Sequence, residues 1–302
     1  MRILFAGTPA TAVPTLLRLA DENEIIGVLT RAPAPVGRKR IMTPSPVENF
    51  ARERGWSVLT PSSLRDAGVQ QQIHELRPDA VAVVAYGLLI PKALLDVPTH
   101  GWINLHYSLL PQWRGAAPVQ YAIAAGQKRT GISTFLIEEG LDTGPVFDTL
   151  EVEIGHRETA GELLDRLSDV GADLLAKTLK DLETGEARGR EQAGEPSHAP
   201  QLKTADGKLD LTRPAVELDA QIRGFTPAPG TWTTWNGDRV KIGPATPVSD
   251  QLEVGEVSVG DRVLLGTGEG ALELDQIAPP GKPWMKAVDW GRGVRGKVVW
   301  NS

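Results

Sequence analysis

The chain has 302 residues, 41% of them hydrophobic, with 32 Lys and Arg against 38 Asp and Glu, five histidines and no cysteine. A chain of this length can bury more than one core, and two domains are expected. The absence of cysteine excludes a disulfide scaffold, a thiolate zinc site, an iron–sulfur cluster and a cysteine nucleophile, and the net charge of −6, taken alone, argues against a nucleic-acid binder.

The opening apolar run at 3–6 breaks at Gly7 and Pro9 instead of building the apolar stretch and cleavage site of a secretory leader. No segment approaches the roughly 18 consecutive apolar residues of a membrane span, so a cytoplasmic protein without a membrane partner is expected. Apolar runs at 25–29, 57–59, 80–85, 102–105 and 131–137 follow, alternating with helical periodicity. This is the α/β pattern of βαβ units around a mostly parallel sheet. The run at 80–85, Ala-Val-Ala-Val-Val-Ala, lacks alternation, which predicts a central strand covered on both faces. From 159 to 183 leucines recur every three or four residues and predict one long amphipathic helix.

Residues 185–208 are poor in large apolar side chains and read as a linker between a domain at 1–184 and another at 209–302. A short helix is expected over 214–223. Beyond the turn-rich stretch at 225–232, short β-like runs at 230–235, 239–242, 255–258, 262–266, 271–277 and 296–300 predict a small β-barrel of the OB type.

Three stretches can carry chemistry. Gly7-Thr8-Pro9 follows the first strand, where glycine admits a ligand to the backbone and Pro suits the first helical position; an ordinary strand-to-helix turn uses the same residues. No GxGxxG accompanies it, which leaves a dinucleotide site without support. Asn104 and His106, two apart on a predicted strand, share one face, and at the carboxyl end of a parallel strand that face looks into the crevice where ligands bind. An amide donor and an imidazole supply what acyl-type transfer to an amine needs: a hydrogen bond to a developing oxyanion and a proton-handling group near neutral pH. A histidine satisfied by a nearby carbonyl is the plainer alternative. In the glycine-flanked loop at 140–145, Asp142 can orient an imidazole and raise its pKa, or cap its own turn. His74, His100, His156 and His198 have no partner at ligand spacing, so no metal is expected. Serine-hydrolase and Walker A motifs do not occur.

These stretches do not stand alone. Gly7-Thr8-Pro9, Gly37-Arg38 with Pro44-Ser45-Pro46-Val47, Val83 to Gly87, Asn104-Leu105-His106 with Ser108-Leu109-Leu110-Pro111, Trp113-Arg114-Gly115-Ala116-Ala117-Pro118, and Leu141-Asp142-Thr143-Gly144-Pro145 appear in one order and spacing. Together they closely resemble the methionyl-tRNA formyltransferase family, densely over residues 1–150 and more thinly beyond. The resemblance implies a Rossmann-like formyltransferase domain followed by an OB-like domain that contacts tRNA. It implies formyl transfer from 10-formyltetrahydrofolate to the α-amino group of methionine on initiator methionyl-tRNA, for translation initiation, by a chain that is a monomer. The family's catalytic Asn, His and Asp fall on Asn104, His106 and Asp142. Folate contacts fall on Ser108, Leu109, Leu110 and Pro111, with the backbone around Tyr86 and Gly87 and the Asp142 loop lining the pterin pocket. A basic loop after the second strand, here 31–42 with Arg38, Lys39 and Arg40, is expected at the acceptor stem, and Arg114 and Lys203 are further expected tRNA contacts.

Two departures from the family pattern stand out. The basic loop reads Val36-Gly37-Arg38-Lys39-Arg40 where Ala-Gly-Arg-Gly-Lys-Lys is common, and His198 replaces the usual tyrosine before Ala199. A formyltransferase of the same fold acting on a nucleotide sugar or another small amine would share the Asn, His and Asp, as would a formyl-folate hydrolase; a folate- or RNA-binding module without activity would not need them. The Trp113–Pro118 motif, the basic loop and the β-rich second domain favour tRNA. Net charge also divides unevenly. Up to residue 202 there are 20 basic and 25 acidic residues, yet Arg38, Lys39 and Arg40 are consecutive, and 281–300 holds Lys282, Lys286, Arg292, Arg295 and Lys297 against Asp289 alone. Such clusters can engage phosphates on an acidic body.

Overall fold

A computed structural model describes residues 1–301 except Arg38 and Lys297. Strand β1 (Arg2–Gly7) buries five residues in succession and ends where only glycine fits. A Cβ on Gly7 would stand 2.6 Å from the Phe5 ring and 3.1 Å from the Val84 carbonyl oxygen. Helix α1 (Val13–Ala20) leads to β2 (Glu24–Leu29), and a two-stranded antiparallel hairpin, β3 (Ala34–Val36) and β4 (Ile41–Thr43), stands where only a loop was expected. Helix α2 (Pro46–Glu53) starts on two local devices: Pro46 at its first turn, and the Ser45 hydroxyl accepting the Glu48 N–H at 2.9 Å. There follow β5 (Val58–Leu59), α3 (Ala67–Leu76), β6 (Ala80–Val84), α4 (Lys92–Leu95), β7 (Trp102–His106), β8 (Arg114–Gly115), α5 (Pro118–Ala124), β9 (Arg129–Leu136), β10 (Val146–Glu153) and α6 (Ala160–Thr184). Thr159 and Glu162 form a reciprocal capping box at the start of α6, with the Thr159 N–H donating to Glu162 at 2.9 Å.

The main sheet has the order β10-β9-β7-β6-β1-β2-β5. The five strands from β7 to the edge strand β5 run parallel, and β9 is antiparallel to β7. All five residues of β6 are buried, as its unbroken apolar run requires. The chain grows from β1 through β2 to β5, then crosses to β6 on the other side of β1. That reversal is a topological switch point, where an open α/β sheet leaves a crevice at its carboxyl edge.

Two compact units are present. The first comprises Met1–Pro118, Thr130–Glu153 and Leu164–Pro200, and the second Val119–Arg129, Ile154–Leu163 and Gln201–Ser302. The expected linker is therefore divided, because its first part, to Pro200, belongs to the first unit. Arg190 exchanges both backbone hydrogen bonds with Val146, at 2.8 and 2.9 Å, and β11 (His198–Ala199) pairs in parallel with β8. Backbone pairing needs no large apolar side chains, which is why composition alone suggested a linker.

In the second unit, α7 (Ala215–Gly224) precedes antiparallel strands in two sheets. One contains β12 (Thr231–Trp235), β13 (Asp238–Ile242), β18 (Gln276–Ala278) and β19 (Met285–Lys286). The other contains β14 (Ala245–Val248), β15 (Glu256–Val259), β16 (Val263–Gly266), β17 (Ala271–Leu274) and β20 (Val298–Val299). They enclose one core that includes Leu218, Val240, Leu265, Leu272, Ile277 and Trp300. Helix α8 (Ala287–Gly291) adds Ala287 to it. The single run expected at 271–277 is thus two strands in different sheets, turning at Asp275, whose N–H donates to the Pro244 carbonyl at 3.1 Å. No described helix is long and apolar enough to cross a membrane.

Leu272 is fully buried opposite Leu265 on the neighbouring strand. Leu272→Ala should cost about 2–5 kcal/mol through lost burial and the cavity left behind. Urea unfolding of the full chain measures this, and a cost under about 1 kcal/mol would show a loosely packed core.

Candidate active site

Strand β7 delivers the first two groups. Asn104 and His106 alternate with buried Ile103 and Leu105, so both project from one face, and they lie opposite Phe135 and Ser133 on β9. The Asn104 amide is half-buried and makes no side-chain hydrogen bond among the described residues. His106 ends the strand and is 5% exposed, with the Phe135 ring edge-on to it at 6.2 Å.

The imidazole is held by a backbone group. Its Nε2–H donates to the Trp113 carbonyl at 2.9 Å, which leaves Nδ1 as the free lone pair of the neutral ring. Asp142 Oδ2 lies 3.9 Å from Nδ1, beyond hydrogen-bond distance, and instead accepts the Gly115 N–H at 2.7 Å. Burial lowers the His106 pKa below its ordinary 6.5, against the opposing pull of the Asp142 charge and the Trp113 carbonyl. A neutral imidazole therefore faces a carboxylate 3.9 Å away. Orientation of the ring by Asp142, an expectation from sequence, falls instead to Trp113, whose φ of 58° turns its carbonyl inward.

The surrounding loops are pinned by short polar contacts. The Ser133 hydroxyl donates to the Ser108 carbonyl at 2.7 Å and accepts the Leu110 N–H at 3.2 Å, while the Ser108 hydroxyl donates to the Gln112 carbonyl. Ser108 and Pro111 are thereby buried, with Leu109 and Leu110 half-buried beside them. At the carboxyl end of β6, Thr8 donates to the Tyr86 carbonyl at 2.8 Å, so the loops after β1 and β6 meet. Gly87 there takes φ 82° and is exposed. Tyr86 itself is 2% exposed within the apolar core, its hydroxyl without a partner among the described residues and its pKa raised by burial.

The basic residues are distributed otherwise than expected. Lys39 and Arg40 are exposed at the turn of the β3–β4 hairpin, and Arg38 lies outside the described residues. Arg114, expected at tRNA, directs its guanidinium to the Gln192 side-chain oxygen at 3.1 and 2.6 Å. Lys203 is exposed in the second unit, starting a short helical turn. Lys282, Lys286, Arg292 and Arg295 are exposed there too, Arg292 paired with Asp289 at 2.8 Å; Lys297 is outside the described residues. No group of three or more His, Asp or Glu side chains able to hold a metal occurs among the described residues.

Two family models match the chain, "Formyl transferase" over residues 1–179 and "Formyl transferase, C-terminal domain" over residues 201–295. A methionyl-tRNA formyltransferase of Paenarthrobacter aurescens is 52% identical over 298 residues, covering 97% of both chains, and that of an Arthrobacter species is 53% identical over 297, with the same coverage. The chain belongs to the methionyl-tRNA formyltransferase family. It is thus a formyltransferase, a transferase of one-carbon groups. Among solved structures, a methionyl-tRNA formyltransferase from Clostridium thermocellum matches with TM-score 0.57 at 18% identity, over 83% of this chain and 95% of that one. A sugar 3N-formyl transferase matches with TM-score 0.68 at 15% identity, over 91% and 97%. Both share the fold.

The Trp113 carbonyl, the Gly115 N–H and Gln192 escaped the residue-by-residue reading. The first two are backbone groups with no side-chain signature, although the glycine at 115 was a usable signal. Gly115 takes φ 126°, and a Cβ there would stand 2.5 Å from the Ala199 carbonyl oxygen.

Burial of a neutral His106 has a thermodynamic consequence. The unfolded chain takes up a proton near pH 6.5 and the folded chain only below it, so the unfolded state binds more protons in that window. Stability contributed by the neutral ring is whole above pH 6.5 and lost as pH falls toward the folded-state pKa. His106→Gln cannot titrate, so the stability of the wild type relative to this variant should decline below pH 6.5 and stay flat above it. Denaturant unfolding across pH measures the difference, and a constant difference would exclude a buried neutral ring.

Proposed function

We propose that this formyltransferase moves a formyl group from 10-formyltetrahydrofolate to the α-amino group of methionine on initiator methionyl-tRNA, with Asn104, His106 and Asp142 as its catalytic residues. The observation that carries the chemical part is the juxtaposition of an unengaged amide, a neutral buried imidazole and a carboxylate at one sheet edge. The choice of tRNA as acceptor follows the named relatives, which this chain matches at about half identity over nearly its full length. Such an enzyme works where initiator tRNA is charged, in the cytoplasm.

The donor set suits a formyl-folate. Half-buried Leu109 and Leu110 offer an apolar wall, and the exposed backbone at Gly87 and the Asp142 loop offers hydrogen-bonding edges for a heterocycle. Bound there, the folate supplies a formyl carbon open to attack by a neutral amine. Asn104 donates its amide N–H toward the formyl oxygen, where negative charge develops. His106 Nδ1, its lone pair free because Nε2–H is committed to Trp113, accepts a proton from the attacking amine. Asp142, 3.9 Å away, stabilises the imidazolium so formed without taking the proton itself, and the imidazolium would return that proton to N10 of the folate as the bond between N10 and the formyl carbon breaks, releasing tetrahydrofolate. The low intrinsic proton affinity of the buried ring keeps it ready as a base at neutral pH. Lys39 and Arg40, with Arg38 beside them in sequence, present positive charge to phosphates from the exposed hairpin turn.

The deciding assay compares charged initiator tRNA with uncharged tRNA, free methionine and an amino-sugar nucleotide as formyl acceptors. Transfer confined to charged initiator tRNA is expected, and transfer only to another amine would overturn the proposal. His106→Ala and Asp142→Ala should each lower turnover by on the order of two powers of ten or more while the circular dichroism spectrum is unchanged. Near-normal turnover in either would remove that residue from the mechanism. Binding of tRNA should weaken with salt by a few charges' worth, and replacing Arg38, Lys39 and Arg40 with Gln should reduce that slope. An unaltered slope would mean the hairpin does not touch phosphate.

A further inference from the structure

We propose that Gln192, backed by Arg114, is a positioning residue that sets Asp142 against His106, so that the segment returning after α6 is part of the catalytic apparatus. The proposal rests on the formyl-transfer reading above. The Gln192 side-chain N–H groups donate to the carbonyls of Asp142 at 2.8 Å and Gly144 at 2.9 Å. Its Oε1 accepts from Arg114 Nε at 3.1 Å and Nη2 at 2.6 Å. Both amide hydrogens and the amide oxygen are engaged.

What this clamp holds is a strained turn. Asp142 takes φ 52°, the left-handed region that a non-glycine residue occupies only when its surroundings hold it there. The two carbonyls that Gln192 engages bracket the Thr143 peptide units directly after it. From the other side, the Gly115 N–H fixes the Asp142 carboxylate at 2.7 Å, and Gly115 adjoins Arg114. A closed ring results: Asp142 carboxylate to Gly115, Gly115 to Arg114 by covalent chain, Arg114 to Gln192, and Gln192 back to the Asp142 carbonyl. The β8–β11 pairing anchors that ring. The same returning segment reaches the second catalytic group, since Ser197 Oγ accepts the Trp113 N–H at 2.8 Å and the Trp113 carbonyl holds His106.

Chemistry restricts which residue can do this. Position 192 must donate twice to carbonyls and accept from a guanidinium. Glutamate accepts only, lysine and arginine donate only, and asparagine has the right groups on a stem one methylene shorter. The assignment also changes the role of Arg114, whose guanidinium faces inward to the catalytic loop.

Gln192→Ala and Gln192→Glu in the full-length enzyme test the idea. Among the described residues, Asp142 is the charged group acting on the His106 ring, the other neighbours being the Phe135 edge and the Trp113 carbonyl. In Gln192→Ala the carboxylate drifts, so turnover should fall on the order of tenfold to a hundredfold with both KM values near wild type. The NMR titration of the His106 ring should move to lower pH, because the charge that raises its proton affinity has receded. Gln192→Glu keeps an acceptor for Arg114 but sets a carboxylate against two carbonyl oxygens, and it should be impaired at least as much. Wild-type turnover in either variant overturns the proposal, as does a turnover loss in Gln192→Ala with an unmoved His106 titration, which a merely destabilised fold would give. Should the wild-type enzyme fail to formylate charged initiator tRNA, the functional reading falls, whereas the titration shift would still report the clamp.

Discussion

One hydrogen bond orders the candidate catalytic edge of this protein: that from His106 Nε2–H to the carbonyl of Trp113. An imidazole this deeply buried must lose either its charge or its freedom. Desolvation removes the charge, and a fixed carbonyl removes the freedom by choosing which nitrogen keeps the proton. A carboxylate bonded directly to the ring would raise its proton affinity much further and favour the charged form. In the proposed mechanism, Asp142 at 3.9 Å, satisfied by the Gly115 amide, acts on a proton once it arrives without holding one beforehand. The division of labour between Trp113 and Asp142 thus suits the proposed role of His106 as a base that is neutral at rest.

That arrangement requires two irregular loops to hold steady, and hydrophobic packing cannot supply this, because the groups to be placed are polar. Backbone pairing supplies it instead. Trp113 and Asp142 both occupy left-handed conformations, each costing on the order of 1–3 kcal/mol. The restraint comes from the segment 190–199, which bonds to Val146 at one end and to residues 111–117 at the other. The structure therefore uses a stretch with almost no apolar side chains as the frame of its site. Composition suggests a linker, whereas hydrogen-bond accounting assigns a supporting strand.

How far the sequence can be read follows from the same contrast. Buried apolar patterns were legible: the unbroken run at 80–85 contains the fully buried β6, which stops one residue short because Ala85 turns to φ 48° and is exposed, and the leucine periodicity from 159 to 183 is α6 within one residue at each end. Two edge strands, β10 and β14, were not. Strand β10 lies at the border of the main sheet and is largely exposed, so its apolar signal is weak. Strand β14 contains Pro247, which argues against a strand until its edge position shows where a missing N–H is tolerated. In the site, the side chains of Asn104, His106 and Asp142 could be singled out because their types announce chemistry. Trp113 and Gly115 act through main-chain atoms that every residue possesses, and Gln192 is two residues past an irregular bridge that no periodicity marks. The guanidinium of Arg114 illustrates the remaining difficulty: its charge invited a phosphate partner, and only the fold reveals an amide oxygen in reach.

Net charge is a poor guide to nucleic-acid binding here for a reason the ion pairs make concrete. Arg18, Arg52, Lys177, Arg213 and Arg262 each sit within 4.0 Å of at least one carboxylate, so part of the positive charge is already answered by local anions and the formal balance of −6 does not describe what an approaching phosphate meets. Such exposed pairs contribute little to stability, and their charges largely cancel beyond a Debye length, about 8 Å at physiological ionic strength. A phosphate approaching the surface responds to the cations left over. Lys39 and Arg40 at the hairpin turn and Lys203, Lys282, Lys286 and Arg295 in the second unit are exposed without an ion-pair partner among the described residues. An enzyme that must bind one polyanion and then release it gains from this distribution. On the proposed reading, a few unpaired cations give attraction where contact is made, and the acidic remainder opposes attachment anywhere else.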